Sequence, residues 1–307
     1  KLRCHLGYSG PRRIDDSSYS RPAVTFCADS PILEMKMPFQ RRKQTKPSSV
    51  NTPVVLGATH VGKVRSGNED SFRVLVGKEA PDGMDAIMVV ADGMGGHAAG
   101  EVASEMSADG VIRHLTTRPP EATMSGGEYH HLLGQILSVV NLEVFRAGQK
   151  PEYQGMGTTC TAAVLKGSHL HVAHVGDSRG YILRSGELVQ ITRDHSWVGE
   201  QVEAGRLTLE EAAHHPRRNI VTRSVGTYAE VTVDTFVESV VPGDIVLLCS
   251  DGLNSVVGDD DISAVLKAGD VGAKCDGLIE LANANGGPDN ITVVVAGIMA
   301  PDLISTT

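Results

Sequence analysis

Nine short β-rich runs between residues 53 and 297 constrain this chain more than any other feature. They read PVVLGATHVG, SFRVLV, AIMVVA, CTAAVL, LHVAHV, YILR, VTVDTFV, DIVLLC and ITVVVAG. Gly, Asp or Pro separates most of them, as strand boundaries require. The runs come in groups, whereas a doubly wound parallel sheet places a helix between successive strands, so the pattern predicts an α+β body. Helical periodicity enters at four places: 101–115, 129–148, 259–269 and 272–285. The first sets Val102, Met106 and Ile112 near one face, and the third opens on an acidic turn suited to a helix N-terminus. Runs 169–175 and 180–184 are close enough to form a hairpin.

Charge divides the chain unevenly. The formal net charge of −9 disfavours nucleic acid as the main partner. Residues 1–50 nevertheless hold 10 Lys and Arg against 4 Asp and Glu, and show no periodicity of either kind. A disordered basic extension over 1–51 is therefore expected, followed by a folded catalytic domain over 52–300 and a short tail at 301–307. The five cysteines are odd in number, widely spaced and without CxxC, which favours a reduced, cytoplasmic protein. No apolar run reaches the roughly 18 residues needed to cross a bilayer, and a monomer is expected.

Several chemistries are excluded by spacing. The phosphate-cradling GxxxxGK[ST] and the zinc motif HExxH are absent, and no cysteine is followed by an arginine six residues on. Gly176-Asp177-Ser178-Arg179-Gly180 matches GxSxG, but that elbow requires a helix after the serine and a late histidine. Here a strand-like run follows, and no histidine occurs after His215.

What remains is a set of carboxylates at strand ends. Asp92 follows AIMVVA, Asp177 ends LHVAHVG, Asp251 follows DIVLLCS, and Asp289 directly precedes ITVVVAG. One Asp-Gly after a strand is an ordinary turn. Four at the ends of apolar strands can converge on one rim, where carboxylates are costly unless paired or metal-bound. All-oxygen ligation selects hard ions such as Mg²⁺ or Mn²⁺. Two such ions about 4 Å apart can acidify a bridging water and aim it at phosphorus. Glycines after Asp92 and Asp251 let the backbone approach an ion.

Six motifs in order carry a family resemblance. They are Arg65-Ser66-Gly67-Asn68-Glu69-Asp70, Asp92-Gly93-Met94-Gly95-Gly96-His97 with Gly100-Glu101, Gly155-Met156-Gly157-Thr158-Thr159, Gly176-Asp177-Ser178-Arg179, Ser250-Asp251-Gly252 and Asp289-Asn290-Ile291-Thr292. Over residues 54–298 the chain resembles the bacterial branch of the PP2C (PPM) metal-dependent serine/threonine protein phosphatases. The resemblance implies a four-layer α/β/β/α sandwich, two antiparallel sheets flanked by helices, holding two or three Mn²⁺ or Mg²⁺ ions. It implies that Asp92 bridges two metals, with the Gly93 carbonyl on one and Asp251 and Asp289 on the other. Glu69 would act through metal-bound water with Asp70 in support, and Asp177 would share a third metal with Asp251. Arg65 matches the phosphate-binding arginine, and 196–225 corresponds to a variable flap. Substrates would be phosphorylated Ser/Thr proteins made by a partner kinase, hydrolysed by direct water attack without a phosphoenzyme. The contrasting reading is a catalytically silent phosphatase-like binding module, against which every metal position is present.

One position departs from part of the family. Eukaryotic-type members carry a histidine general acid directly after the Asp-Gly; here Met94 stands there, and His97 is the nearest substitute, the alternatives being a loop histidine without a proton-transfer role and a metal-bound water as the proton donor. His169 and His171 share a strand face, for which a solvated strand edge is expected, and the His130-His131 and His214-His215 pairs read as surface. Trp197 and Phe145 read as core or flap anchors, and Thr158 and Thr159 as the start of a buried strand.

Overall fold

Period-2 alternation within the strands builds three stacked apolar layers. The computed structural model describes residues 52–96, 98–117 and 126–299. The expected extension at 1–51 and tail at 301–307 lie outside them. In chain order the elements are β1 (Thr52–His60), β2 (Asp70–Val76), β3 (Ala86–Met94), α1 (Ala98–Thr117), α2 (Gly126–Ala147), β4 (Gly157–Thr158), β5 (Cys160–Lys166), β6 (His169–Val175), β7 (Arg179–Arg184) and β8 (Glu187–Gln190). There follow α3 (Trp197–Glu203), α4 (Leu209–Ala213), β9 (Asp234–Ser239), β10 (Ile245–Cys249), α5 (Asp251–Asn254), α6 (Asp259–Lys267), α7 (Val271–Ala284) and β11 (Ile291–Met299).

Two antiparallel sheets result. One runs β1-β11-β10-β7-β8; the other runs β2-β3-β5-β6-β9, with β4 paired to β3. Along β3, Ala86, Met88 and Val90 face the opposite sheet, while Ile87 and Val89 face α1 and α2. Along β10, Val246 and Leu248 join that inter-sheet core, and Leu247 and Cys249 lie under α6 and α7. The order helix, sheet, sheet, helix is the four-layer sandwich. Among the described residues no helix is long and apolar enough to cross a membrane, and Cys160, Cys249 and Cys275 are buried and unpaired.

The sequence-expected hairpin of β6 with β7 does not form. β6 pairs with β5 and β9, whereas β7 pairs with β10 and β8. Gly176 has φ of +116°, so the chain turns out of one sheet and enters the other across Gly176–Ser178. His171 also departs from expectation. It is fully buried beneath Tyr129, their ring centroids 5.4 Å apart, because β6 is an interior strand and α2 covers that face.

Candidate active site

The rim where the sheets meet gathers the residues singled out in the sequence. Arg65, Glu69, Asp92 and Gly93 line one side of a cleft of about 240 Å³, and Asp177, Asp251 and Asp289 complete it. His97 lies outside the described residues. Asp92 is still within β3, paired in register with Asp70 on β2, so the strand runs through the site instead of ending before it. Asp251 likewise opens the one-turn helix α5 instead of an Asp-Gly turn.

Hydrogen bonds from behind fix the backbone at Asp92 and Glu69 and the buried Asp70 carboxylate. The Asp92 amide donates to Thr159 Oγ1 (2.9 Å), and the Asp92 carbonyl accepts from Thr158 Oγ1 (2.9 Å) and the Thr159 amide (2.9 Å). Thr159 Oγ1 in turn shares a proton with Ser178 Oγ at 2.7 Å, tying β5 to the sheet crossing. Asn290 holds the loop before β2: its Nδ2 donates to the carbonyls of Val61 and Gly67, each at 2.9 Å, and its Oδ1 accepts from the Glu69 amide at 2.8 Å. Ser250 Oγ donates to Asp70 Oδ2 at 2.7 Å and accepts from the Thr292 amide at 2.9 Å, joining the sheets under the cleft.

Two glycines set how closely β3 and α1 approach. A Cβ on Gly93 would strike the carbonyls of Glu69 and Gly100, and one on Gly100 would strike the Glu69 carboxylate. Only glycine at both positions lets Glu69 reach the cleft. Gly100 belongs to the second motif, but the sequence alone gives it no role, since its neighbour in space lies 31 positions away. Asn219 and Val221 from the flap also line the cleft, with no signal beyond their segment.

The electrostatics are one-sided. Five carboxylates face one guanidinium in the lining, with buried Asp70 behind them. Burial, then the charges of Asp70, Asp251, Asp177 and Asp289, push the Asp92 carboxyl well above the usual carboxylate range. Burial and then Asp289 raise Asp251, and burial followed by Asp251 and Asp194 pushes Asp177 up to about 8. Burial lifts Asp70 to about 7, and its Oδ1 is buried without a partner. Arg65 Nη2 donates to Asp289 Oδ2 at 2.7 Å, a cation set against the cluster's rim. Such a donor set fits hard divalent cations. No three of the described His, Cys, Asp and Glu side chains are gathered to chelate an ion by protein atoms alone.

Ser178, the GxSxG serine, is fully buried and bonded to Thr159, out of reach of a substrate. The neighbouring Arg179 is committed to Asp194, with Nε–Oδ1 at 2.9 Å and Nη2–Oδ2 at 2.6 Å.

Residues 57–269 match the family model described as "Protein phosphatase 2C". The serine/threonine phosphatase stp of Listeria monocytogenes is 41% identical over 241 residues, covering 77% of this chain and 92% of that protein. The chain belongs to the protein phosphatase 2C family. PstP of Mycobacterium tuberculosis is 42% identical over 242 residues, 78% of this chain but 44% of PstP. A crystal structure of that enzyme superposes on this member of the family with a TM-score of 0.71 at 40% identity, over 80% of this chain and 99% of the other. The PstP catalytic domain in complex with two manganese ions gives a TM-score of 0.69 at 38% identity, over 81% and 99%.

Proposed function

We propose that this chain dephosphorylates phosphoserine and phosphothreonine in proteins, the products of a partner serine/threonine kinase, at the cleft beside Arg65. It is a metal-dependent protein phosphatase of the 2C type, and the silent binding module is not favoured. The observation that carries the site assignment is the excess of carboxylates over cations in an open, strand-built cleft.

In this reading residues 52–300 form the catalytic domain. Asp92, the Gly93 carbonyl, Asp251 and Asp289 would hold two Mn²⁺ or Mg²⁺ ions, Glu69 would act through water, and Asp177 with Asp251 would offer a third position. The bound ions supply Lewis acidity and lower the pKa of water. The chain's own residues do the rest. Arg65, exposed at the mouth, turns its planar fork from Asp289 to the phosphoryl oxygens. Asn290, Thr158 and Thr159 keep the carboxylate-bearing backbone still, so no reorganisation is needed when charge develops. The described cysteines and Ser178 are buried, so no side chain among them is offered as a covalent nucleophile and hydrolysis is direct. The proton for the leaving oxygen is assigned on sequence alone to His97.

The test is hydrolysis of a phosphothreonine peptide with Mn²⁺ and then with EDTA, alongside Asp251→Asn. Chelation abolishes turnover and Asp251→Asn loses most of it. Activity that survives either change overturns the assignment.

A further inference from the structure

The turn that carries Asp177 is held by a residue to which the proposed chemistry gives no part. Gly176 sits at φ of +116°, a conformation L side chains rarely adopt, and a Cβ there would meet Thr159 Cβ at 2.5 Å. A glycine in such a state is poorly fixed by its own torsional preferences, so something outside must fix it.

His195 does so at both backbone groups. The His195 amide donates to the Gly176 carbonyl at 2.8 Å, and the Gly176 amide donates to His195 Nδ1 at 3.0 Å. An amide can only donate, so Nδ1 is the acceptor and the ring proton is on Nε2. That proton points to Asp234 Oδ2, 3.1 Å away at the start of β9, whose Oδ1 accepts from Arg223 Nη1 at 2.6 Å; the same Nη1, a donor only, also lies 2.9 Å from Nε2 and cannot take its proton. The carboxylate therefore selects the tautomer that Gly176 needs, by the logic that orients a metal-binding imidazole from behind. Burial, with His195 only 5% exposed, favours the same neutral ring.

The same residue anchors the flap. The His195 carbonyl accepts from the Thr222 amide at 2.8 Å, and Ser196 bridges to Val221, which lines the cleft together with Asn219. The turn before Asp177 is thus bonded to the His195 ring and amide, and the flap segment at Thr222 to the His195 carbonyl.

We infer that His195 is a positioning residue that sets the place of Asp177, and through it the affinity of the cleft for divalent cations, by presenting an acceptor to the Gly176 amide. This rests on the reading of Asp177 as a cation ligand.

Two replacements separate the ring's two nitrogens. His195→Asn puts an amide carbonyl near the Nδ1 position and keeps an acceptor for Gly176. His195→Gln reaches the Nε2 position and keeps the bond to Asp234 instead. The measurement is calorimetric titration of Mn²⁺ into the metal-stripped full chain without substrate, with hydrogen–deuterium exchange of the Gly176 amide and Asp177→Asn as the reference. The Asn variant is expected to bind Mn²⁺ within about twofold of the wild type. The Gln variant weakens binding about tenfold, as loss of an outer support does, and exposes the Gly176 amide to faster exchange. If Asp177→Asn weakens Mn²⁺ binding while the two His195 variants bind alike, His195 is not the positioning residue and the inference alone falls. If Asp177→Asn binds Mn²⁺ like the wild type, the ligand reading of Asp177 falls and the inference with it. A merely structural role predicts equal losses of thermal stability and equal metal affinity in both variants, which also overturns it.

Discussion

Two glycines of α1 offer a way to separate stability from function. Gly100→Ala adds a methyl group that strikes the Glu69 carboxylate and comes within 3.1 Å of the Gly93 carbonyl carbon. Helix propensity alone favours the change by about 1 kcal/mol. The clash is with the far end of a flexible side chain, which can rotate away for about 0.5–1.5 kcal/mol. These two magnitudes nearly cancel, so the unfolding free energy of metal-free Gly100→Ala stays within about 1 kcal/mol of wild type. Rotation takes Glu69 out of the cleft, however, and loss of such support costs about 10- to 100-fold in metal affinity or activity. Gly110→Ala is the control in the same helix: its methyl group would meet Val140 Cγ2 at 2.9 Å. Overpacking there costs about 1–3 kcal/mol and leaves metal affinity alone. Urea unfolding in EDTA, Mn²⁺ calorimetry and phosphothreonine-peptide kinetics read the three quantities. Turnover of Gly100→Ala within twofold of wild type would refute the idea that the glycine at position 100 is there to admit Glu69.

Other outcomes follow from particular groups. The Arg65–Asp289 pair is substantially exposed and contributes at most about 1 kcal/mol to stability. Arg65→Ala therefore barely moves the melting temperature but lowers kcat/KM about 10- to 100-fold, the cost of a charge-assisted phosphate contact; an unchanged kcat/KM would remove Arg65 from substrate binding. Saturating the chain with Mn²⁺ at 100 times Kd stabilises it by about 2.7 kcal/mol, a rise of about 5–10 °C in a body of this size; a scan that Mn²⁺ leaves unmoved would contradict a metal site in the native state. His174 is buried beside His195, and burial first and His195 second lower it to about 4. The unfolded imidazole titrates near 6.5, so the unfolded chain binds the extra proton and stability falls as pH drops from about 6.5 to about 4, by about 3 kcal/mol. Urea unfolding in EDTA shows this as a wild-type loss absent from His174→Gln, which cancels the contribution of the carboxylates; parallel profiles would show that His174 does not titrate this way.

Much of the architecture was legible because it is periodic. β-rich runs bounded by turn residues located nine of the strands and helical periodicity four of the helices, and strand grouping favoured an α+β body over a doubly wound sheet. The partners of those strands were less legible. β6 and β7 are three residues apart in sequence, and proximity suggests a hairpin, but a glycine at positive φ sends the chain into the other sheet. The burial of His171 was hidden for the same reason, since an interior strand covered by a helix has no local signature that an edge strand lacks. At the site, residue types and order indicated a chemistry, whereas the supports are contacts between distant positions. Gly100 against Glu69, Asn290 against Val61 and Gly67, and His195 against Gly176 carry no short-range pattern.

The location of the site follows from the conflict between its charge and its burial. Five carboxylates cannot enter the apolar inter-sheet layer, and on an exposed loop they would be screened apart. At the sheet ends each can be carried by a stiff strand or the turn beside it, while its charge faces the cleft. Both sheets must contribute, because Asp92 belongs to one and Asp251 and Asp289 flank strands of the other. The seam of Ser250 with Asp70 and Thr292 ties those two halves together at the cleft, above the apolar core they share. Repulsion within the cluster therefore acts against the packing of the sheets themselves, and the cations that the cleft fits would relieve that strain as they complete the site.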